Sequence, residues 1–212
     1  MKSMYHDESE LKNEVNPWTA IWYSPRAAIR SFIENQRTMI ACVLAILTGV
    51  TNVLNKAMDD NIGEHMAIPA ILLLAFIGGA IAGLIGWFFL SGMMLLIGKL
   101  FGGKATFKEM SMGIAAAYIP LALSIILYVL DLLFLGEKLF MDVQLSTFQV
   151  LWILLSGFIA LILSIWSIFL TVKAVAEAHR FSSWKGLLTV IIPSAFIFLL
   201  IVGFILIVSI LY

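Results

Sequence analysis

Charged residues are scarce in this chain of 212 amino acids, because Asp, Glu, Lys and Arg together make up only 12% of the sequence. Soluble domains contain about 25% charged and about 45–50% apolar residues, whereas 62% of the residues here are hydrophobic. That composition excludes an ordinary soluble globular domain. Apolar runs of about 18 or more residues recur instead, which is the length that an α-helix needs to cross a bilayer. The sequence therefore predicts an all-α, polytopic membrane protein.

Cysteine is nearly absent as well, since Cys42 is the only one, and a disulfide scaffold within the chain is therefore excluded. The sequence also lacks a His-Glu-x-x-His pair, a Walker-type phosphate loop and a Gly-x-Ser-x-Gly elbow. Glu177 and His179 in KAVAEAHRF are two positions apart and point to different sides of a helix. We interpret them as a solvated helix end rather than a metal or acid–base site. We expect no enzymatic activity, no metal, no cofactor and no nucleic-acid partner.

Five apolar segments are long enough to be membrane spans, with ends that are approximate by a few residues. They lie at about residues 38–54, 67–97, 110–135, 148–175 and 187–212. The second segment is long, so it either tilts or breaks near Gly78 and Gly79. The charged leader is too long for a signal peptide, and we expect the N-terminus to be retained. Residues 1–37 then form a leader and residues 38–212 a five-span membrane domain.

Basic residues divide unevenly among the segments that connect these spans. Eleven of the thirteen Lys and Arg residues lie in the leader, the 98–109 loop and the 173–185 loop, while only Lys56 and Lys138 lie in the other two loops. Five spans place the three basic segments on the same side of the membrane. Because Lys and Arg favour the cytoplasmic side, we predict a multi-pass protein of the cell membrane with a cytoplasmic N-terminus and an external C-terminus.

The stretch NPWTAIWYSPRAAIRSFIENQR combines aromatic and basic residues just before the first span. Asn16-Pro17 and Ser24-Pro25 each indicate an N-cap followed by proline at the first helical position, which predicts two short helices broken at Ser24. The apolar face of the second helix carries Ile29, Phe32 and Ile33.

We interpret this stretch as a cytoplasmic amphipathic region that lies on the lipid bilayer, with its aromatic residues at headgroup depth. A surface that docks a protein partner is the alternative, because basic amphipathic helices serve both uses. The residues that would form the anchor or the docking surface are Trp18, Trp22, Tyr23, Arg26 and Arg30.

Small residues and a proline mark the second and third spans. Gly79, Gly83 and Gly86 have a spacing that lets helix backbones approach closely. We interpret them as helix-packing positions within this bundle, with formation of a homo-oligomer as the alternative. In the third span, Tyr118 and Pro120 predict a kink, because proline removes a backbone hydrogen bond. A gating role for this kink is the alternative.

Asp131 is the only carboxylate well inside an apolar run, and an ionisable residue within a membrane is by default a functional hypothesis. If the third span begins near Met110, Asp131 lies about 32 Å further along, at a rise of about 1.5 Å per residue. That position is near the outer interface, where a carboxylate can reach water. We therefore expect a hydrated group, with a pairing or transport role as the alternative.

The order of three segments along the chain resembles a known family. NPWTAIWYSPRAAIRSFIE precedes the first span, FGGKATFKEMSMGIAAAYIP leads into the third, and IWSIFLTVKAVAEAHRFSSWKGLLTVIIP joins the fourth to the fifth. In this order the chain resembles the bacterial branch of the Yip (Ypt-interacting protein) family of five-span membrane proteins, and YknW-like members in particular. The resemblance covers nearly all of residues 16–212.

The resemblance implies a non-enzymatic integral membrane protein that acts through protein contacts. Relatives of this kind are associated with ABC exporters that protect the cell against toxic peptides, which implies exporter subunits as partners. We therefore predict an accessory or assembly factor of a membrane complex. The alternative is a transporter or permease subunit that moves a small or amphipathic substrate. Such a subunit would need polar groups at mid-membrane on several spans, and the sequence offers little there beyond Ser and Thr.

Overall fold

The computed structural model describes residues 16–211, and from residue 194 onward it describes only some of the side chains. All regular structure in these residues is helical, as predicted. The helices are α1 (Pro17–Tyr23), α2 (Pro25–Glu34), α3 (Thr38–Asp59), α4 (Ile68–Leu100), α5 (Phe107–Ala117), α6 (Ile119–Leu123), α7 (Ile125–Leu135), α8 (Thr147–His179) and α9 (Ser183–Leu211). Two 3-10 turns, Ile62–Glu64 and Gly136–Phe140, lie in the connections.

Four stretches of the described residues are long and apolar enough to cross a membrane: Thr38–Asp59, Ile68–Leu100, Ile119–Phe140 and Thr147–His179. Helix α9 adds a further 29 residues, and its role as a fifth span stays a prediction. Helix α4 continues through the two glycines at which a break was considered. It and α8 contain 33 residues each, or about 50 Å of helix against a hydrocarbon core of about 30 Å. Both helices are thus long enough to tilt or to extend beyond the core.

Local sequence signals set the ends of the helices. The side chain of Asn16 accepts a hydrogen bond from the backbone N–H of Trp18 at 3.1 Å, and α1 and α2 are separated at Ser24 as the proline pattern predicts. Helix α5 begins with a capping box in which Thr106 and Glu109 exchange hydrogen bonds. Each cap satisfies backbone N–H groups that the first turn of a helix leaves without a partner.

Helix α5 lies at the centre of one half of the bundle, packed against α2, α3, α4 and α8. Every side chain from Met110 to Ala117 is buried, and Ile29 and Phe32 of α2 belong to the same apolar core. The apolar face of α2 is therefore covered by protein. The expectation that this face lies on the bilayer is wrong for Ile29 and Phe32, because α5 and α8 provide the apolar surface that buries them.

Helices α3 and α4 approach so closely that their contact requires glycine. A Cβ atom at Gly49 would lie 2.0 Å from the carbonyl oxygen of Gly79, and a Cβ atom at Gly83 would lie 2.2 Å from the carbonyl oxygen of Ala45. Gly79 and Gly83 thus lie at a contact within the chain. The helix-packing assignment of Gly86 is wrong, because a Cβ atom there would meet nothing within 4 Å. The spacing along α4 did not reveal Gly49, which lies on the facing helix.

Candidate functional site

Charged side chains from three segments meet at the end of the bundle that carries α1 and α2, which we call the basic end. Arg30 of the leader forms an ion pair with Glu177 near the end of α8. Arg180, just after α8, pairs with Glu109 at the start of α5 at 3.0 Å. These contacts bring the leader, the 98–109 loop and the 173–185 loop together. The two arginine side chains are mostly exposed, so each pair contributes little stability, about 0–1 kcal/mol, and mainly sets positions.

The Glu109 carboxylate is held by its own helix cap as well as by this pair. The backbone N–H of Thr106 donates to Glu109 Oε2 at 2.7 Å, and this hydrogen bond is the largest contribution that lowers the pKa of Glu109. The charge of Arg180 lowers it further, while partial burial works in the opposite direction. Glu109 is therefore ionised at neutral pH and links two segments of the basic end.

His179 is only 1% exposed, so its interpretation as part of a solvated helix end is wrong. Its ring is enclosed by the last turn of α4 and the loop that follows, because Cβ atoms at Gly98 and Gly103 would lie 2.0 Å from Nε2 and 2.1 Å from Nδ1. The backbone N–H of Ala105 donates to Nδ1 at 3.3 Å, and Nε2 lies 3.3 Å from the carbonyl oxygen of Met94. His179 thus fastens the 98–105 loop to α8. No group of three or more potential metal ligands occurs among residues 16–211.

The three aromatic residues of α1 lie on the surface of the basic end. Trp18, Trp22 and Tyr23 are exposed, and the ring of Trp22 stacks on Trp166 of α8 with 6.4 Å between centroids. Trp166 lies nineteen residues after the first residue of α8, about 28 Å at the helical rise. That distance is close to the thickness of the hydrocarbon core. The two rings thus lie about one core thickness from the start of α8, and exposed aromatic side chains favour the headgroup region.

Two arginines of the leader, Arg26 and Arg30, make contacts within the chain. In addition to the ion pair of Arg30, Arg26 donates to the hydroxyl of Ser183 at 2.8 Å, and Ser183 is the first residue of α9. Both arginines remain exposed, so these contacts leave room for lipid or protein. Anchoring and partner docking by this surface stay predictions.

The third span is interrupted twice. Helix α5 ends at Ala117 with Tyr118 as its C-cap, and Pro120 lies in the first turn of α6. A second break at Ser124 separates α6 from α7. Beside the first break, the hydroxyl of Ser167 on α8 donates to the carbonyl oxygen of Ala117 at 2.8 Å. A neighbouring helix thus provides a hydrogen bond where the regular pattern is disturbed, which is how membrane helices tolerate proline.

Beyond these breaks, α3, α7 and α8 surround a polar cavity of about 170 Å³. None of its lining residues belongs to α1, α2 or α5, so in the described part of the chain the cavity is confined to the half of the bundle away from the basic end. The polar lining residues are Thr51, Asn52, Asn55, Ser124, Tyr128, Asp131, Ser156 and Ser164.

Asp131 faces this cavity and is 6% exposed. Trp152 Nε1 donates to Asp131 Oδ1 at 2.7 Å, and the hydroxyl of Tyr128 donates to the side-chain oxygen of Asn55. The carboxylate is therefore enclosed between helices and bonded to a side chain, unlike the freely hydrated group that we expected at the outer interface. Sequence analysis also missed Asn52 and Asn55, whose amides three residues apart on α3 were the available signal.

A family comparison covers both the basic end and the cavity. The model of the Yip1 domain matches residues 19–205. The chain belongs to the Yip1 domain family. The resemblance to the Yip family is thereby confirmed at the level of the family, which is a membrane protein family. No curated protein and no solved structure matches the chain.

The Yip1 domain match extends from the leader helix α1 into α9. Residues 19–37 of the leader therefore fall within the matched domain. This agrees with the packing of α2 into the core around α5.

Proposed function

We propose that this Yip1 domain protein is a non-enzymatic accessory or assembly factor that binds another membrane protein within the bilayer. The observation that carries the proposal is the outer surface of α4 and α8, where large apolar side chains are exposed along both helices. They include Leu73, Phe76, Ile81, Ile85 and Phe89 on α4, and Leu151, Leu154, Phe158, Ile165 and Ile168 on α8. Apolar surface of this extent is suited to contact with lipid or with a partner protein.

The partner class that we propose is an ABC exporter for toxic peptides, through its membrane subunits. This choice depends on the resemblance to YknW-like proteins of the bacterial Yip branch. Helices α4 and α8 support it in one respect, since their length and apolar outer surfaces suit side-by-side packing with the helices of a permease.

For the arrangement in the membrane we propose five spans, with α9 as the fifth. The N-terminus and both basic loops face the cytoplasm, and the C-terminus lies outside the cell membrane. Two observations support this orientation: eleven of the thirteen Lys and Arg residues lie in three segments, and ion pairs join those segments at one end of the bundle. Because Lys and Arg favour the cytoplasmic side of a membrane, we assign that end of the bundle to the cytoplasm.

Photo-crosslinking tests the accessory role. A photoreactive phenylalanine analogue is placed at Phe76 or Phe89 on α4 and at Phe158 on α8, with the buried Phe140 as the control position. In cells that contain the exporter, we expect one of the two helices to crosslink an exporter subunit. The control position should give crosslinks within the chain alone. Crosslinks to lipid alone from every exposed position would contradict a partner on this surface.

The polar cavity favours a second candidate, a transporter or permease subunit for a small or amphipathic substrate. Polar groups from three helices line it, and polar groups at mid-membrane on several spans are the feature that we expected such a subunit to need. Uptake or efflux by proteoliposomes that contain the purified protein alone would support this candidate. Activity that appears only after exporter subunits are added would favour the accessory role.

A further inference from the structure

We propose that the polar cavity between α3, α7 and α8 binds a primary ammonium group, with Asp131 as its counter-ion. This proposal goes beyond the accessory role and does not depend on it. It follows from the hydrogen-bonding state of the lining groups, from the shape and chemistry of the cavity, and from the charge around its end of the bundle.

The hydroxyl groups of the cavity have already donated their hydrogen atoms. Thr51, Ser124 and Ser164 donate to the backbone carbonyl oxygens of Thr48, Leu121 and Ala160, at 2.9, 2.5 and 2.8 Å. Tyr128 donates to Asn55. A hydroxyl has one hydrogen and two lone pairs, so these four groups can offer a ligand only acceptors.

Asp131 adds a negative charge to this set of acceptors. Trp152 supplies one hydrogen bond. The Ser156 hydroxyl, which donates to the carbonyl oxygen of Ile153 at 3.3 Å, also lies near the carboxylate, and an ionised carboxylate has about four lone-pair sites. No Lys, Arg or His is among the described residues that line the cavity. A buried carboxylate without a basic partner is costly, and a bound cation with several N–H donors would satisfy it.

The apolar part of the lining indicates an organic cation rather than a metal ion. Met58, Leu121, Leu139 and Ile153 also face the cavity, and a volume of about 170 Å³ has room for several water molecules. A hard metal ion prefers to be surrounded by oxygen ligands. A primary ammonium group joined to a short carbon chain fits both kinds of lining.

The surroundings of the cavity favour entry of a cation. Asn52 and Asn55 line the cavity and are themselves exposed, so the cavity is reached from their side of α3. Residues 56–67 and 136–146, at this end of the bundle, contain five acidic residues, Asp59, Asp60, Glu64, Glu137 and Asp142, against the two basic residues Lys56 and Lys138. A negative local potential raises the concentration of cations near such an opening.

Two sources could supply the ammonium group: the headgroup of phosphatidylethanolamine, or a free amine. The test uses the full chain in nanodiscs that contain equal amounts of phosphatidylethanolamine and phosphatidylcholine, with retained lipid identified by native mass spectrometry. A second arm measures retention of radiolabelled ethanolamine by the protein in phosphatidylcholine nanodiscs. Enrichment of the ethanolamine lipid assigns the site to a headgroup, and binding in the second arm alone assigns it to a free amine.

Asp131→Asn keeps the shape of the side chain and removes its charge. We expect it to weaken whichever binding is observed by about tenfold or more, as for other charged hydrogen bonds. Asp142→Asn, at an exposed acidic residue of the same end, is the matched control and should leave binding nearly unchanged. An equal melting temperature of Asp131→Asn and the parent protein shows that the variant is folded. Should Asp131→Asn unfold, the test uses competition on the parent protein. Methylamine should displace bound ethanolamine, and tetramethylammonium should not.

Three results would overturn the proposal. One is the absence of binding in both arms, and another is equal binding by the parent protein and a folded Asp131→Asn variant. The third is displacement of bound ethanolamine by tetramethylammonium as readily as by methylamine, since a quaternary cation has no N–H group to donate.

Discussion

The contact between α3 and α4 gives a prediction whose size follows from the structure. In Gly49→Ala, the new Cβ atom would lie 2.0 Å from the carbonyl oxygen of Gly79 and 2.5 Å from the Cα atom of Gly83. Ordinary contact begins at 3.4 Å, so the two backbones must separate by about 1.4 Å to accept one methyl group. Neither neighbouring atom belongs to a side chain that could rotate away.

We expect Gly49→Ala to destabilise the protein by about 1–3 kcal/mol, the usual cost of forcing extra volume into a packed interior. At about 2–4 °C per kcal/mol for a chain of this size, its melting temperature should fall by about 2–12 °C. Gly86→Ala is the matched control, because nothing lies within 4 Å of the added atom. Alanine is favoured over glycine in a helix by about 1 kcal/mol, so the control should be neutral or slightly more stable.

The assay is thermal unfolding of the purified variants in one mild detergent, followed by tryptophan fluorescence and by loss of the monodisperse peak in size-exclusion chromatography. Equal melting temperatures for Gly49→Ala and Gly86→Ala would refute the close approach of α3 and α4. A lower melting temperature for Gly86→Ala alone would show that α4 packs against α3 through the face that carries Gly86.

Three further predictions concern the basic end. Arg30→Glu should speed cleavage of the leader by chymotrypsin, and the added Glu177→Arg substitution should restore protection. Unchanged cleavage in both variants would show that the ion pair between Arg30 and Glu177 does not hold α2. Gly103→Ala should displace the loop around His179 and raise hydrogen–deuterium exchange in residues 98–105, and unaltered exchange would contradict the enclosure of the ring. The pKa of Glu109 is lowered in the folded protein, so its ionised carboxylate stabilises the fold at neutral pH. This stabilisation is lost as the pH falls below about 4.5, the unperturbed pKa of the group. Glu109→Gln should therefore reduce the fall in melting temperature between neutral and acidic pH, and an equal fall in both proteins would exclude this carboxylate as a source of it.

Features that depend on neighbouring residues could be predicted from the sequence. The break at Ser24 follows from proline at the start of each leader helix, and the interruption near Pro120 follows from the hydrogen bond that proline lacks. The meeting of the basic segments at one end could also be predicted, because span number and loop charge together determine it. In each case the cause lies within a few residues or in a simple count.

Features that depend on which surfaces meet could not be predicted. An amphipathic pattern shows that α2 has an apolar face, but Ile29 and Phe32 could bury that face in lipid or in protein with the same spacing. His179 resembles a solvated residue until the glycine-rich loop, far away in sequence, closes over it. The cavity could not be predicted for the same reason, because Asn55, Asp131 and the serines of α8 come from three distant segments and their convergence has no local signal.

The arrangement in the membrane is the claim on which the proposed function most depends, and thiol labelling tests it directly. Lys104→Cys, Lys138→Cys and Lys185→Cys are made one at a time in a Cys42→Ala background, since all three lysines are exposed, Lys104 and Lys138 in connections and Lys185 in the first turn of α9. With an impermeant thiol reagent on intact cells, five spans and a cytoplasmic basic end predict labelling of Lys138→Cys alone. The other two variants should react only after the cells are opened. Labelling of Lys104→Cys or Lys185→Cys in intact cells would contradict the orientation and the number of spans together.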